Sequence, residues 1–422
     1  MRAGWALLRR RDFGLLWAGG LISETGDWFL LVGLPVWVFQ LTGSSLVTAT
    51  VFLVGLLPSL VVGPLAGVLV DRWDRRRTLV AVSLAQATFL LPLLAVDGRD
   101  RLWVVYLVMA VEAVLAQLND PARNALVPSL VTGDDLVGAN ALIGLNGNLA
   151  RLVGSPLGGV LVEVAGLPGL VIGDAVSFLL GATLIALVRP GTPAAELAPT
   201  AAPGGMVGEW VAGLRLIVRD HGLRWGLVVN GMAAVAQGIF TVLFLLFVAE
   251  ELGGDGAEVG LLRGVQAIGG LLGGVLVVGL GRRLEAGRLL GLSLLVFALL
   301  DLAIWNGPMV TTAGWLYLGL FVAAGIPGIG VLTGLTALVQ ERTGDAYLGR
   351  VFATYYGSFN GLMALGMLAA GLLGDAVGVV AVLNGQALLY LLAGLVALAT
   401  VGRRAQPGGY PRASKRVRMP LA

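Results

Sequence analysis

Twelve apolar runs, each near the roughly 20 residues that a helix needs to cross a bilayer, fill most of this 422-residue chain. They lie near Phe13–Leu41, Val47–Val70, Leu79–Val96, Leu102–Leu126, Ala139–Val164 and Gly169–Val188. After a break come Trp225–Ala249, Glu258–Leu280, Leu289–Trp305, Ala313–Val339, Val351–Asp375 and Gly378–Val401. In hydrocarbon a backbone must satisfy its own N–H and C=O groups, and continuous helices do so. The expected fold class is therefore an all-α membrane protein with twelve transmembrane helices. Charged residues make up 13% of the chain, about half the share in a soluble domain. The 64 glycines suit helices packed closely on one another. Arg9, Arg10 and Arg11 precede the first run, which is too long for a signal-peptide core and reads as a retained first span.

The break divides the chain. "RPGTPAAELAPTAAPGG" has no apolar period, and "MVGEWVAGLRLIVRD" follows with Val207, Trp210, Val211, Leu214 and Val218 at helical spacing. The second stretch is expected to be an amphipathic helix on the inner membrane face. The expected organisation is a six-helix half over 1–188, a cytoplasmic linker over 189–224, a six-helix half over 225–401 and a basic tail over 402–422. Of the 28 Arg and Lys, 24 fall in segments on the side of the N-terminus. Two, Arg99 and Arg101, fall in loops on the other side, and Arg151 and Arg263 fall within spans. By the positive-inside rule both termini should be cytoplasmic, in the inner membrane of a cell. The tail should touch anionic lipid; no nucleic-acid partner is expected, and a monomer is.

Cysteine is absent and His221 is the one histidine, so neither a thiolate site nor a His cluster is available. No metal, no cofactor and no catalytic residue is expected. With no nucleophile triad and no nucleotide loop, an enzyme is not expected either.

The second span ends in "GVLVDRWDRRRTL". This resembles the loop pattern G-x-L-a-D-R-x-G-R-R-x-x-L of the major facilitator superfamily, matching at Gly67, Leu69, Asp71, Arg72, Arg75, Arg76 and Leu79. In that superfamily the acidic residue caps a facing helix of the second half and latches the inner gate, a role the resemblance implies for Asp71. Asp74 stands where the pattern has Gly, which puts the usual tight turn in question. "GNLARLVGSPLGG" in the fifth span is similar to the superfamily's antiporter signature, with Gly154, Pro156, Gly158 and Gly159 matching and Ser155 intervening. "NDPARNALVPSLV", "NALIGLNGNLARLVGSPLGG" and "LGRVFATYYGSF" are similar to the branch that contains the bacterial enterobactin exporter and macrolide efflux proteins. The resemblance implies two pseudo-symmetric halves around a midplane site and secondary transport of a small molecule.

Against that background the stretch "ISETGDWFLL" places Glu24 and Asp27 inside the first span. At 1.5 Å per residue Asp27 lies about 18 Å from the inner end, and Glu112 and Arg151 reach similar depths. Glu24 and Asp27 share a face at i, i+3. Glu112, Asn119 and Arg123 form a polar stripe on the fourth span; Asn140, Asn148, Arg151 and Ser155 form one on the fifth. Polar stripes of this kind face a cavity rather than lipid. Arg151 is expected to pair with one carboxylate, leaving another without counter-charge and able to carry a proton. Gln237 and Asn360 are further cavity candidates in the second half. Asp174, Arg263 and Asp301 are placed nearer the outer surface, and Trp28, Phe240 and Phe244 are possible apolar contacts. The expected activity is proton-coupled export of an amphiphilic small molecule, drug or siderophore-like, by alternating access. The alternatives are a lysophospholipid or lipid transporter, or a small-molecule importer, on the same fold.

Overall fold

The computed structural model describes residues 6–70, 73–131, 133, 135–189, 213–280, 284–344 and 347–402. The chain order is α1 (Arg11–Thr42), α2 (Ser45–Val70), α3 (Arg75–Ala95), α4 (Arg99–Leu130) and α5 (Asp135–Ala186). After the linker come α6 (His221–Glu250), α7 (Gly256–Leu280), α8 (Ala286–Asn306), α9 (Gly314–Arg342), α10 (Leu348–Val377) and α11 (Val379–Thr400). No strand occurs among the described residues. Among the described residues ten helices are long and apolar enough to cross a membrane, against twelve apolar runs in the sequence. The difference has two sources. The second run, in α2, counts only as a shorter apolar helix over Ser45–Pro58. The fifth and sixth runs share α5.

At 52 residues, α5 would be about 78 Å long if straight, more than twice the ~30 Å hydrocarbon core. It breaks at Gly166, whose φ of 59° and ψ of −157° are not helical. Glycine takes a positive φ without steric penalty, and Pro168 then sits in the first turn of the new segment, where its missing N–H costs nothing. The parts before and after Gly166 are called α5a and α5b.

Between α2 and α3, Asp74 solves the problem posed by the absent glycine. Its backbone is extended and its side chain accepts the N–H of Arg77 at 2.7 Å. It is the N-cap of α3, a role worth about 1 kcal/mol. Arg76 then donates to the carbonyl of Val188 at 2.8 Å, tying the start of α3 to the end of α5b. Arg75 is the first residue of α3 and Gly67 lies on α2. Asp71 and Arg72 lie outside the described residues, as do Val207, Trp210 and Val211 of the linker and the basic tail. Residues 213–219 are helical, and Ile217 is buried with Leu223, Val339, Val351 and Tyr355.

Helices before and after the linker meet at the end of the bundle away from Arg11 and Thr400. There α5a packs on α7: a Cβ on Gly159 would run into the backbone of Gly256, one on Gly260 into that of Ser155, and one on Gly264 would lie 2.8 Å from Pro156. The antiporter-like residues are thus close-approach points, and Gly154 and Gly158 serve the opposite side of α5a. A Cβ on Gly154 would lie 2.7 Å from that of Trp28, and one on Gly158 2.7 Å from the Cα of Phe29. On the other flank α2 packs on α10, where a Cβ on Gly371 would lie 3.0 Å from the Cα of Leu46. Close backbone approach through small residues is how helices associate without a hydrophobic drive. At the terminal end the named hydrogen bonds stay on one side of the linker. Asp12 accepts from the N–H of Arg189 at 3.0 Å, and Arg288 donates to Gly402 at 3.3 Å.

Candidate functional site

Between the two groups of helices lies a cavity of about 480 Å³. Asp27 of α1, Gln86 of α3, Glu112 of α4, Asp174 of α5b, Gln237 and Thr241 of α6 and Arg263 of α7 supply its polar wall. Trp28, Phe52, Met109, Phe244, Met363 and Met367 supply much of the rest. Aromatic and thioether side chains adapt to varied apolar contacts.

Asp27 is exposed, although it sits in the middle of α1; what it is exposed to is the cavity. Its neighbour Gly26 sets its surroundings. A Cβ there would fall onto Ser177 Oγ and Asp174 Oδ1, so only glycine lets α1 lie against α5b. Asp174 is fully buried. Ser177 Oγ donates to its Oδ1 at 3.1 Å, and its Oδ2 has no partner. Glu112 is also buried, with Oε1 unpartnered and the Gln86 side chain facing it. Gln86 in turn accepts from Asn119 Nδ2 at 3.2 Å. Three carboxylates therefore converge on the cavity, two of them with an unsatisfied oxygen.

The cations are arranged differently from the expectation. Arg123 of α4, not Arg151, is the counter-charge of the first helix. It forms a close ion pair with Glu24 and holds Asp120 at 2.5 Å. Arg151 forms no ion pair among the described residues, and its Nε is buried without a hydrogen-bond partner. The reason is rotation about α5a. Gly147, Gly154 and Gly158 face α1, whereas Asn148, Arg151, Ser155 and Gly159 face α7, with Arg151 Nη2 and Asn148 Oδ1 beside Gly270. One residue is a turn of about 100°, enough to send the Arg151 side chain to the other neighbour.

Of the residues expected to bind proton or substrate, Asp27, Glu112 and Gln237 share the cavity. Glu24, Asn148 and Arg151 are not in its lining and make the contacts just described. Asn360 lies on a second cavity of about 360 Å³ among α6, α8, α9, α10 and α11, which also contains Gln237, Tyr355 and Tyr390. Two residues assigned to the outer surface, Asp174 and Arg263, belong to the central cavity instead. Arg263 lies over the ring of Phe240, 5.0 Å from its centroid, a cation–π contact that compensates in part for lost hydration. The glycine directly before Asp27 was the available signal for Asp174: a small residue beside a mid-span acid marks a close neighbour. Among the described residues no group of three His, Asp or Glu is placed to hold a metal ion.

Comparison with known proteins agrees with this architecture. Macrolide efflux protein A of Streptococcus pyogenes is 25% identical over 87% of this chain and 90% of its own. The multidrug efflux pump Tap of Mycolicibacterium fortuitum is 28% identical over 92% of this chain and 96% of its own. These relatives are named as transporters, not enzymes. Among solved structures, an inward-facing bacterial homologue of the iron transporter ferroportin superposes with a TM-score of 0.70 at 19% identity, covering 93% of this chain and 99% of that one. The family model for transmembrane secretion effectors matches residues 2–407. The chain is a multi-pass membrane transporter and belongs to the transmembrane secretion effector family of the major facilitator type.

Proposed function

We propose that the protein is a proton-coupled exporter of amphiphilic small molecules that carry a cationic group. It works by alternating access in the cell's inner membrane. The observation that carries this reading is the cavity itself: apolar walls with three carboxylates, Asp27, Glu112 and Asp174, against the one guanidinium of Arg263. Such a wall favours a ligand with an apolar body and a positive charge, and the same carboxylates hold protons when the ligand leaves. Exchange of one proton for one monovalent cation moves no net charge, so its drive is the pH gradient: each pH unit supplies about 1.4 kcal/mol, tenfold in concentration.

In this reading the chain has twelve spans, with α5a and α5b crossing separately, in halves that flank the linker over 189–224. The 24 basic residues of the terminal side put both termini in the cytoplasm. The contacts between the halves lie at the opposite end, which supports a conformation closed to the outside, with the cavity reached from the cytoplasm. The loop motif, through Asp71, latches the inner side in the alternative state, and a monomer suffices.

The test is substrate-dependent proton movement in proteoliposomes, read with a pH-sensitive dye, across panels of amphiphilic cations, siderophores and lysolipids. The reading expects proton flux with the cations. Flux with lysolipids alone, or none with any panel, rejects it.

A further inference from the structure

The second half holds one more buried carboxylate, remote from the central cavity. Asp301 of α8 is 2% exposed. Among the described residues one side-chain donor reaches it, Gln386 Nε2 of α11 at 2.8 Å. Gln386 is itself fully buried, and its Oε1 accepts from Trp305 Nε1 at 3.1 Å. Its amide also faces the hydroxyl of Tyr390. That hydroxyl donates to Gln237 Oε1 at 3.3 Å, and Gln237 lines both the central and the second cavity. A row of neighbouring polar side chains thus leads from Asp301 through Gln386, Tyr390 and Gln237 to the wall of the central cavity.

Among the described residues no counter-charge faces Asp301. From α11 it meets Gln386 and Tyr390. The ionisable group on α9 near this end of α8 is Tyr317, whose hydroxyl donates to the Thr311 carbonyl at 3.0 Å. From α6, Phe240 and Phe247 pack on Trp305. Arg263 of α7 lies over the ring of Phe240 and faces Tyr390, not Asp301. An ionised carboxylate buried with one neutral donor loses more hydration than that bond returns.

We propose that Asp301 is a second proton-binding site, and that its protonation re-aims Gln237 in the substrate cavity through Gln386 and Tyr390. With Asp301 ionised, one N–H of Gln386 is held at Oδ2 and the other is left for Tyr390. Once Asp301 carries a proton, it becomes a donor and competes with Trp305 for Gln386 Oε1. The amide turns, Oε1 replaces the N–H that faced Tyr390, and the Tyr390 hydroxyl donates to it instead of to Gln237. A proton bound in the second half is thereby sensed at the substrate wall without entering the cavity. The consequence for exchange rests on the export reading; the proton site does not.

The experiment is infrared difference spectroscopy, acid minus alkaline, on the full-length protein in lipid. A carboxylic-acid C=O band is expected that disappears in Asp301→Asn, persists in Asp27→Asn and shifts in Gln386→Leu, which removes the donor. Ethidium serves as the probe for the cavity. In the parent it should change the proton affinity of that band by about fivefold or more, the lower end of ordinary coupling between sites. In Tyr390→Phe the band should remain and the ethidium effect vanish. A band unchanged by Asp301→Asn overturns the site. An ethidium effect absent from the parent, or surviving Tyr390→Phe, overturns the link to Gln237. Failure of the parent to export any amphiphilic cation overturns the export reading instead, and the ligand-free band still decides Asp301.

Discussion

Glu163, in α5a near the break at Gly166, accepts the backbone N–H of Gly256, the first residue of α7, at 2.8 Å. Gln40 of α1 donates to the same oxygen at 2.7 Å. On the opposite flank Asp375 of α10 accepts the N–H of Ser45, the first residue of α2, at 3.2 Å. Each carboxylate reaches across the linker-defined halves to the N-terminus of a helix, where unpaired N–H groups and the helix dipole favour negative charge. The two contacts are counterparts: each half supplies one carboxylate and one helix N-terminus.

In the proposed outward-closed state these two contacts hold the far end together, so removing one should open it. A hydrogen bond to a charged group contributes about 1.5–3 kcal/mol, roughly ten- to hundredfold in a two-state equilibrium. The chain has no cysteine, so a single Cys at Thr241 on the cavity wall is a clean reporter. Its labelling from outside intact cells by an impermeant thiol reagent should rise by at least tenfold in Glu163→Ala. Unchanged labelling would mean that Glu163 does not hold the closed state.

Gly26 is predicted to be intolerant of even one methyl group. A Cβ there collides with Ser177 and Asp174, and overpacking of this kind costs about 1–3 kcal/mol. Gly26→Ala should lower the melting temperature in detergent and reduce transport, and Ser177→Gly in the same molecule should restore part of both. No loss in the single variant would show that α1 and α5b have room to move apart.

The all-helical membrane fold was legible from hydropathy, and Asp27, Glu112 and Gln237, expected at a cavity, do share one. Rotation about each helix axis was not legible. Whether Arg151 meets α1 or α7 depends on about 100° per residue; Gly154, which does face α1, was read as part of the antiporter-like signature and not as a marker of that face. Asp174 and Arg263 were misjudged for a related reason. Their depth was counted from the ends of the spans, whereas the cavity reaches toward the closed end, and the long Arg263 stem carries its charge away from its own Cα. The Asp74 position looked like a defect in the loop motif because capping is a backbone property that a residue pattern does not display.

The relocated ion pair gives a direct comparison. Arg123→Ala leaves Glu24 without its cation, and breaking a buried pair costs about 3–5 kcal/mol. Arg123 and Glu24 are 16% and 22% exposed, so a value at or below the lower end is expected. Arg151→Ala removes no ion pair among the described residues and should cost less stability, as read by thermal unfolding of the purified protein. The reverse order would return the counter-charge to Arg151.

Topology is tested through the linker. A single Cys at Ala201 should react only with thiol reagents that reach the cytoplasm, because the basic residues place that segment inside. Labelling of intact cells by an impermeant reagent contradicts the orientation.

Uphill export by Asp27→Asn in vesicles, with and without an imposed pH gradient, tests the central claim most directly. Asparagine is close in size to aspartate and still hydrogen-bonds, but it does not gain or lose a proton in the working range. The account predicts that the variant inserts, binds an amphiphilic cation such as ethidium and lets it equilibrate downhill, while the pH gradient no longer drives its accumulation. If Asp27→Asn concentrates ethidium against its gradient as well as the parent does, Asp27 does not carry the coupling proton and the proposed exchange at this carboxylate is wrong.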